Sequence, residues 1–370
     1  MLFNNIAVST AAFLVVFVTT PLVRKYALRW KLGDKPNGRK VHTCLIPHLG
    51  GVSLVLGTIG ALFLYKMLPE EAYSTGGIFA LWRALPGVGL VVALGLVDDM
   101  RSLKVFQKLV VQIIAALLLV ASGFSLLVGL PIIDQVGLLS LLLTVFYLVG
   151  ISSAVNLIDG HDGLAGGICL IASAAFTGIS LLFGSYSLLV VSLALGAACL
   201  AFLVYNFPPG KIFMGDTGSM FLGLMLGITA CSLSMLRPGV GTFFGVCFVL
   251  GVPILDTFLA IARRIALRTP IFKADALHMH HVLSSFGFSP RQALLILYSI
   301  QTVSAALGIL AAKGYAFPIF VGSSFLIAVF LSFFRLMIAE GRREREAADA
   351  LARNSIAAIE GEAVATKSSR

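Results

Sequence analysis

Five polar segments interrupt an otherwise apolar chain, and their residue types suit one kind of chemistry. The richest runs from Asn156 to Gly167, NLIDGHDGLAGG. It combines an amide (Asn156), two carboxylates (Asp159 and Asp162), an imidazole (His161) and glycines that include Gly163. A single Asp at the centre of a spanning helix costs about 2.5–3.5 kcal/mol, and a tight turn needs glycine but not two acids. A second segment, GLVDDM, sets Asp98 beside Asp99 at the end of an apolar run. Adjacent carboxylates repel, so a site holding both supplies a cation or protonates one. They also lie at a helix C-terminus, where the macrodipole favours cations.

The third segment, YNFPPGKIFMGDTGS, places Phe213 after a Pro-Pro-Gly break and Asp216 between Gly215 and Gly218. Asp216 followed by Thr217 and Ser219 also fits an N-cap, which would need no chemistry. The fourth, RRIALRTPIFKADALHMHHVL, carries His278, His280 and His281 with Arg263, Arg264, Arg268 and Lys273. His-x-His-His can ligate zinc, but no fourth ligand is adjacent. Imidazoles among cations suit phosphates or sugar hydroxyls, and a basic loop also suits anionic lipid. The fifth, GDKPNGRKVHTCLIPHLGG, offers Arg39, Lys40 and His42 ahead of two glycines. These cations suit a lipid phosphate and serve topology as well. In sum, the segments supply hard oxygens for a divalent metal, cations for phosphate, glycines for close backbone approach and an aromatic that could stack on a base. Gly163–Gly167 can also open a helix whose first amides favour phosphate. That is equipment for phosphoryl transfer on a nucleotide-linked substrate at a membrane surface. No G-x-x-x-x-G-K-[ST] loop occurs, which excludes a P-loop ATPase.

The elements that position these residues are transmembrane helices. The 370 residues are 58% hydrophobic and 12% charged, with a mean hydropathy of +0.99. Soluble domains carry about 25% charged residues. The expected fold is therefore all-α, a polytopic bundle of about eleven spans near 3–23, 49–68, 78–97, 106–124, 137–157, 164–184, 186–206, 217–236, 240–262, 292–312 and 316–338. Residues 1–340 form the membrane unit, and 341–370 a charged, Ala-rich cytoplasmic tail. The first segment lacks a basic n-region and a small-residue cleavage site, so it reads as a retained span. Five cysteines lie mostly inside apolar runs, without C-x-x-C spacing, and read as small core residues. Lys and Arg concentrate after span one, between spans three and four, and between nine and ten. The positive-inside rule then sets the N-terminus outside and the C-terminus in the cytoplasm. With that orientation all five polar segments reach the cytoplasmic face. A net charge of +10 belongs to those loops, so no nucleic-acid partner is expected. A transporter would hold its acids near the midplane, often in paired repeats; Asp256 is the one acid deeper in a span.

The ordered set "RKVH…P-x-L-GG", "VDD", "NLIDGHDGLAGG", "FMGDTGS" and "DALHMHH" resembles the polyprenyl-phosphate N-acetylhexosamine-1-phosphate transferase family, over roughly residues 20–290. The His-x-His-His loop is similar to the WecA-type branch. The MraY branch, acting on UDP-muramoyl-pentapeptide, typically has other residues where this chain reads LIPHLGG and HMHHVL. The resemblance implies transfer of a sugar-1-phosphate, most simply N-acetylglucosamine-1-phosphate, from a UDP-N-acetylhexosamine to undecaprenyl phosphate in the bacterial inner membrane. It implies Mg²⁺, replaceable by Mn²⁺, with Asp216 as the main ligand and Asn156 near metal and diphosphate. Phe213 would stack on uracil, Asp162 would hydrogen-bond its edge, and Gly163 belongs to the same nucleotide site. Asp98 and Asp99 would sit at the reacting phosphate, Asp98 as the usual base, with Asp159 in the same cluster. His278, His280, His281 and Arg264 would frame the sugar, and Arg39, Lys40 and His42 the lipid phosphate. Membrane lipids and a second copy in a homodimer complete the expected partners.

Overall fold

The computed structural model describes residues 2–30, 32–33, 47–67, 82–126, 137–269 and 278–368, with side chains described as far as 343. Arg39, Lys40, His42 and Lys273 lie outside the described residues. Among the described residues there are thirteen helices and no strand. They are α1 (Leu2–Arg29), α2 (Gly50–Met67), α3 (Leu85–Arg101), α4 (Val105–Ala121), α5 (Gly137–Ile158), α6 (Leu164–Leu182), α7 (Tyr186–Asn206), α8 (Gly215–Leu236), α9 (Val240–Val249), α10 (Gly251–Ala266), α11 (Met279–Ser285), α12 (Pro290–Ala312) and α13 (Ala316–Ser368). Eight are long and apolar enough to cross a membrane, and α9 with α10 can supply a ninth. The protein is a multi-pass membrane protein.

The bundle is built around α8. Of its most apolar window 83% is buried, against 22% for α1 and 17% for α13, so α8 forms the axis and the other two form the lipid-facing rim. Helices α2, α3, α5 and α6 pack on α8, and α1 closes the outside against α2 and α7. In lipid, helices associate through tight packing rather than exclusion from water, which favours small residues at the crossings. Two glycines show this at the first turn of α8. A Cβ on Gly51 would lie 2.1 Å from the Gly218 nitrogen, and one on Gly95 2.4 Å from the Thr217 Cα. Only a bare backbone fits at these crossings, so α2 and α3 press directly on the residues flanking Asp216.

The apolar run expected as one span over 240–262 is two helices, bent by 78° where α9 meets α10. The sequence explains the break. Pro253 has no N–H to donate to the Val249 carbonyl four residues back, and the ladder opens around Leu250. Polar groups freed inside a membrane must find partners, and α12 supplies them. Gln301, fully buried, donates from Nε2 to the Val249 carbonyl at 2.5 Å and accepts the Val252 amide at 3.1 Å. One turn on, the Ser304 hydroxyl donates to the Phe248 carbonyl at 2.6 Å. Gln301→Leu should therefore destabilise the protein by about 1–3 kcal/mol for each group left unpaired. Thermal unfolding in detergent reads this, and an unchanged midpoint would show that the break needs no side-chain partner.

Candidate active site

The acidic residues scattered over the sequence meet at the N-terminus of α8. Asp99, near the end of α3, accepts the Asp216 amide at 2.8 Å on one oxygen; on the other it accepts the Thr217 amide at 3.1 Å and the Thr217 hydroxyl at 2.6 Å. It thus caps α8 from a neighbouring helix, where a negative charge favours the dipole. Asp216 itself, in the first turn, makes no side-chain cap. Its Oδ2 lies 2.5 Å from the Lys108 ammonium of α4, which also pairs with Asp98 Oδ2. The other Asp98 oxygen accepts the Leu103 amide at 2.5 Å. Asn156, in the last turn of α5, donates to the Ser219 hydroxyl at 2.9 Å and hydrogen-bonds Asp216. Two carboxylate oxygens from different helices therefore converge on one positive centre with an amide alongside.

Asp159, in the turn after α5, accepts the Gly215 amide. Burial, followed by the Asp216, Asp99 and Asp162 charges, pushes its pKa well above the ordinary carboxylate value. The folded protein thus keeps this proton where the unfolded chain has lost it. Stability falls as pH rises from the unfolded carboxylate pKa through the raised one. Asp159→Asn removes that fall, so its advantage in unfolding temperature should be small in acid and widen as pH rises. A gap that narrows with pH would mean that the anion is the favoured form.

Beside the acids opens a cleft of about 620 Å³, lined among others by Gly160, His161, Asp162, Pro208, Phe213 and Arg291. Asp162 Oδ2 accepts the Gly210 amide at 2.8 Å, while Oδ1 is buried with no partner. A Cβ on Gly210 would come within 2.6 Å of that carboxylate, so a side chain there would push Asp162 aside. The floor is held by Asn206, which accepts the Gly163 amide and donates to the Ile212 carbonyl, both at 2.9 Å. Tyr298 donates to the Gly163 carbonyl at 2.6 Å. The Gly163 and Leu164 amides have protein acceptors, and residues 164–167 are buried.

The His loop meets the same turn. His280 stands 4.1 Å from the His281 ring centre and 5.7 Å from that of His161, and a Cβ on Gly160 would lie 3.3 Å from its Nε2. Burial and the His281, His278 and His161 neighbours lower its pKa to about 2. It is a neutral imidazole, suited to hydroxyls or a carbonyl rather than to charge pairing with phosphate. Arg264 lies half-buried in the last turn of α10.

Residues 81–234 match the family model described as glycosyl transferase family 4. A Bacillus subtilis (strain 168) protein named "Probable undecaprenyl-phosphate N-acetylglucosaminyl 1-phosphate transferase" is 36% identical over 296 residues, 78% of this chain and 80% of its own. The chain belongs to glycosyl transferase family 4. A "Decaprenyl-phosphate N-acetylglucosaminephosphotransferase" of Mycolicibacterium smegmatis (strain ATCC 700084 / mc(2)155) is 37% identical over 329 residues, 79% of this chain and 78% of its own. The "Undecaprenyl-phosphate alpha-N-acetylglucosaminyl 1-phosphate transferase" of Escherichia coli (strain K12) is 29% identical over 351 residues, 90% of each chain. The family match spans the acids of α3, the turn after α5 and the start of α8.

Three further residues stand beside these acids and the cleft without a motif to mark them. In the sequence Lys108 and Arg291 read as topology charges, and His48 is not singled out. His48 Nε2 lies 2.6 Å from the Asp99 carbonyl. Arg291 donates to the Pro208 carbonyl at 3.1 Å. Lys108 did carry a signal. A cation in the first turn of an apolar helix opposes the macrodipole, and so calls for carboxylates nearby, which the preceding Asp-Asp pair supplies.

Proposed function

We propose that this protein transfers N-acetylglucosamine-1-phosphate from UDP-N-acetylglucosamine to undecaprenyl phosphate, releasing UMP, and so starts a lipid-linked cell-envelope polysaccharide. The observation that carries this reading is the meeting of Asp98 and Asp216 at one positive centre beside the Phe213–Asp162 cleft. Uracil stacks on Phe213, and its N–H edge donates to the unpartnered buried oxygen of Asp162. The imidazoles of the His loop, the neutral His280 among them, face the N-acetyl sugar. Arg39, Lys40 and His42 receive the lipid phosphate.

Transfer requires one bond to form and one to break. An oxygen of the lipid phosphate attacks the β-phosphorus, the bond from that phosphorus to the bridging oxygen breaks, and UMP leaves with the electron pair. The attacking oxygen is already anionic at neutral pH, so no base has to ionise it. The chief obstacle is repulsion between two anions, and preorganised positive charge offsets it. Lys108, held by Asp98 and Asp216, supplies such charge at the reacting end, and Arg291 lines the nucleotide end. The donor set also fits Mg²⁺ or Mn²⁺. Among the described residues no group of three or more His, Cys, Asp or Glu forms a cage, but Mg²⁺ commonly takes only one or two carboxylates together with substrate phosphates. Asp216, with Asn156 alongside, would hold the ion, which would neutralise charge on the diphosphate.

Counting α3, α4 and the bent α9–α10 pair as spans gives eleven crossings among the described residues. With the basic loops inside, the N-terminus is outside and the active site on the cytoplasmic face of the inner membrane. The acids lie at the ends of α3 and α5 and the start of α8, all at one end of the bundle, which disfavours a midplane transport pathway. In detergent with undecaprenyl phosphate and a panel of UDP-sugars, UMP release should be fastest with UDP-N-acetylglucosamine and poor with UDP-glucose, because a site built to hydrogen-bond a missing group leaves its partners unpaired. Rapid release with UDP-glucose would sink the sugar assignment, and no release with any donor would sink the activity. In sealed cells, an impermeant thiol reagent should label Lys313→Cys but not Lys211→Cys; the reverse pattern would invert the topology.

A further inference from the structure

Asp256 is the acid that the proposed chemistry leaves unused. It lies in α10, beyond the break in the bent span, and is 1% exposed. A carboxylate so placed is costly unless its oxygens are satisfied, and two donors from the His loop do this. His278 Nδ1 lies 2.7 Å from Oδ2, and the Met279 amide donates to Oδ1 at 2.8 Å. The ring of His278 is itself buried, at 7% exposure. It lies parallel to that of His280, with an interplanar angle of 5° and centroids 6.2 Å apart. His280 in turn meets His161 and Gly160 of the turn that carries Asp159 and Asp162. A continuous set of contacts thus runs from the membrane-embedded Asp256 through two stacked imidazoles to the edge of the nucleotide cleft.

We propose that Asp256 is a positioning residue for the His loop, holding His278 by Nδ1 so that the ring's tautomer and plane are set for sugar recognition. The partner of one ring nitrogen decides what the other can do. With Nδ1–H committed to Asp256, Nε2 is the ring atom left to accept from a hydroxyl or amide N–H of the sugar. A merely structural acid would not need the ring, since the Met279 amide could be satisfied by an uncharged side chain. This inference rests on the His loop facing the donor sugar, and the tests below separate the two.

In the purified full-length protein, Asp256→Asn should lower kcat/KM for UDP-N-acetylglucosamine about ten- to a hundredfold, the scale for losing a residue that orients another. Inhibition by UMP should stay within about twofold, because uracil is held elsewhere. His278→Gln should cause a similar loss. Because Asp256 acts through His278, the double variant should fall no more than about threefold below His278→Gln alone. Full multiplication of the two losses, or near-native kcat/KM in Asp256→Asn, would overturn the proposal. If Asp256→Asn does not fold, ¹⁵N-histidine NMR of the native protein decides, with His278→Gln identifying the resonance. A proton on Nδ1 alone supports the proposal, and a proton on Nε2, with or without one on Nδ1, overturns it. If no UDP-sugar releases UMP, the functional reading fails, and the NMR result still shows whether Asp256 sets the ring.

Discussion

Asp216→Asn should lower transfer on the order of 10²–10³-fold, the loss typical when one preorganised electrostatic group leaves a site, while the protein unfolds at nearly the native temperature. The geometry separates these two effects. Asp216 holds Lys108 and hydrogen-bonds Asn156 but does not cap α8, so Asn in its place removes the charge that binds a cation, keeps an oxygen facing Lys108 and leaves the helix capped. Asp99 is the contrasting case. Both of its oxygens accept from the first turn of α8, so Asp99→Ala should cost about 0.5–2 kcal/mol of stability as a lost cap. Activity should fall with it, since the cap fixes the residue that carries the chemistry. Transfer assays at several Mg²⁺ concentrations, paired with thermal unfolding, distinguish the two. Near-normal turnover by Asp216→Asn at low Mg²⁺ would remove Asp216 from the cation site. A fully stable Asp99→Ala would show that α8 is held by its glycine crossings alone.

Phe213→Ala should weaken inhibition by UMP by about 5- to 150-fold, corresponding to roughly 1–3 kcal/mol for one base on one aromatic ring. KM for the UDP-sugar should rise alongside. Phe213 is half-buried and lines the cleft with Asp162. Its backbone is pinned independently, donating to the Pro47 carbonyl at 2.8 Å and accepting the Gly50 amide at 3.0 Å, so shortening the side chain leaves the loop in place. Phe213→Tyr, which keeps the ring, should retain affinity. His280→Ala provides the opposite signature, with transfer falling at least about tenfold and UMP inhibition unchanged. Equal loss of UMP binding in Phe213→Ala and His280→Ala would place the nucleotide, rather than the sugar, against the His loop.

Composition, span lengths and the acid-and-glycine segments were legible from the sequence because each reports a local cost. Apolar runs of about 20 residues have few places to lie other than a bilayer. A carboxylate beside such a run is expensive enough to demand a reason. The family resemblance, through flanking residues and their order, implies that Asp98, Asp216, Asn156, Asp162 and Phe213 belong to one region. What the residues do to one another did not follow. That Asp99 caps α8 while Asp98 pairs with Lys108 depends on which way two adjacent side chains leave α3, and so on how α3 crosses α8 at Gly95. Lys108 looked like a topology charge because its partners lie 10 and 108 residues away along the chain. The break at Leu250 was hidden because Gly251 and Pro253 weaken a helix without specifying a bend. The stable 78° bend depends on Gln301 and Ser304, which meet it only in the folded bundle. Asp256 was visible as an anomaly, but its partner came from the loop 22 residues on. Sequence determined which groups had to be satisfied, because burial cost is a property of the residue. Tertiary structure alone decided by whom, because hydrogen bonds reach about 3 Å and only packing brings distant segments that close.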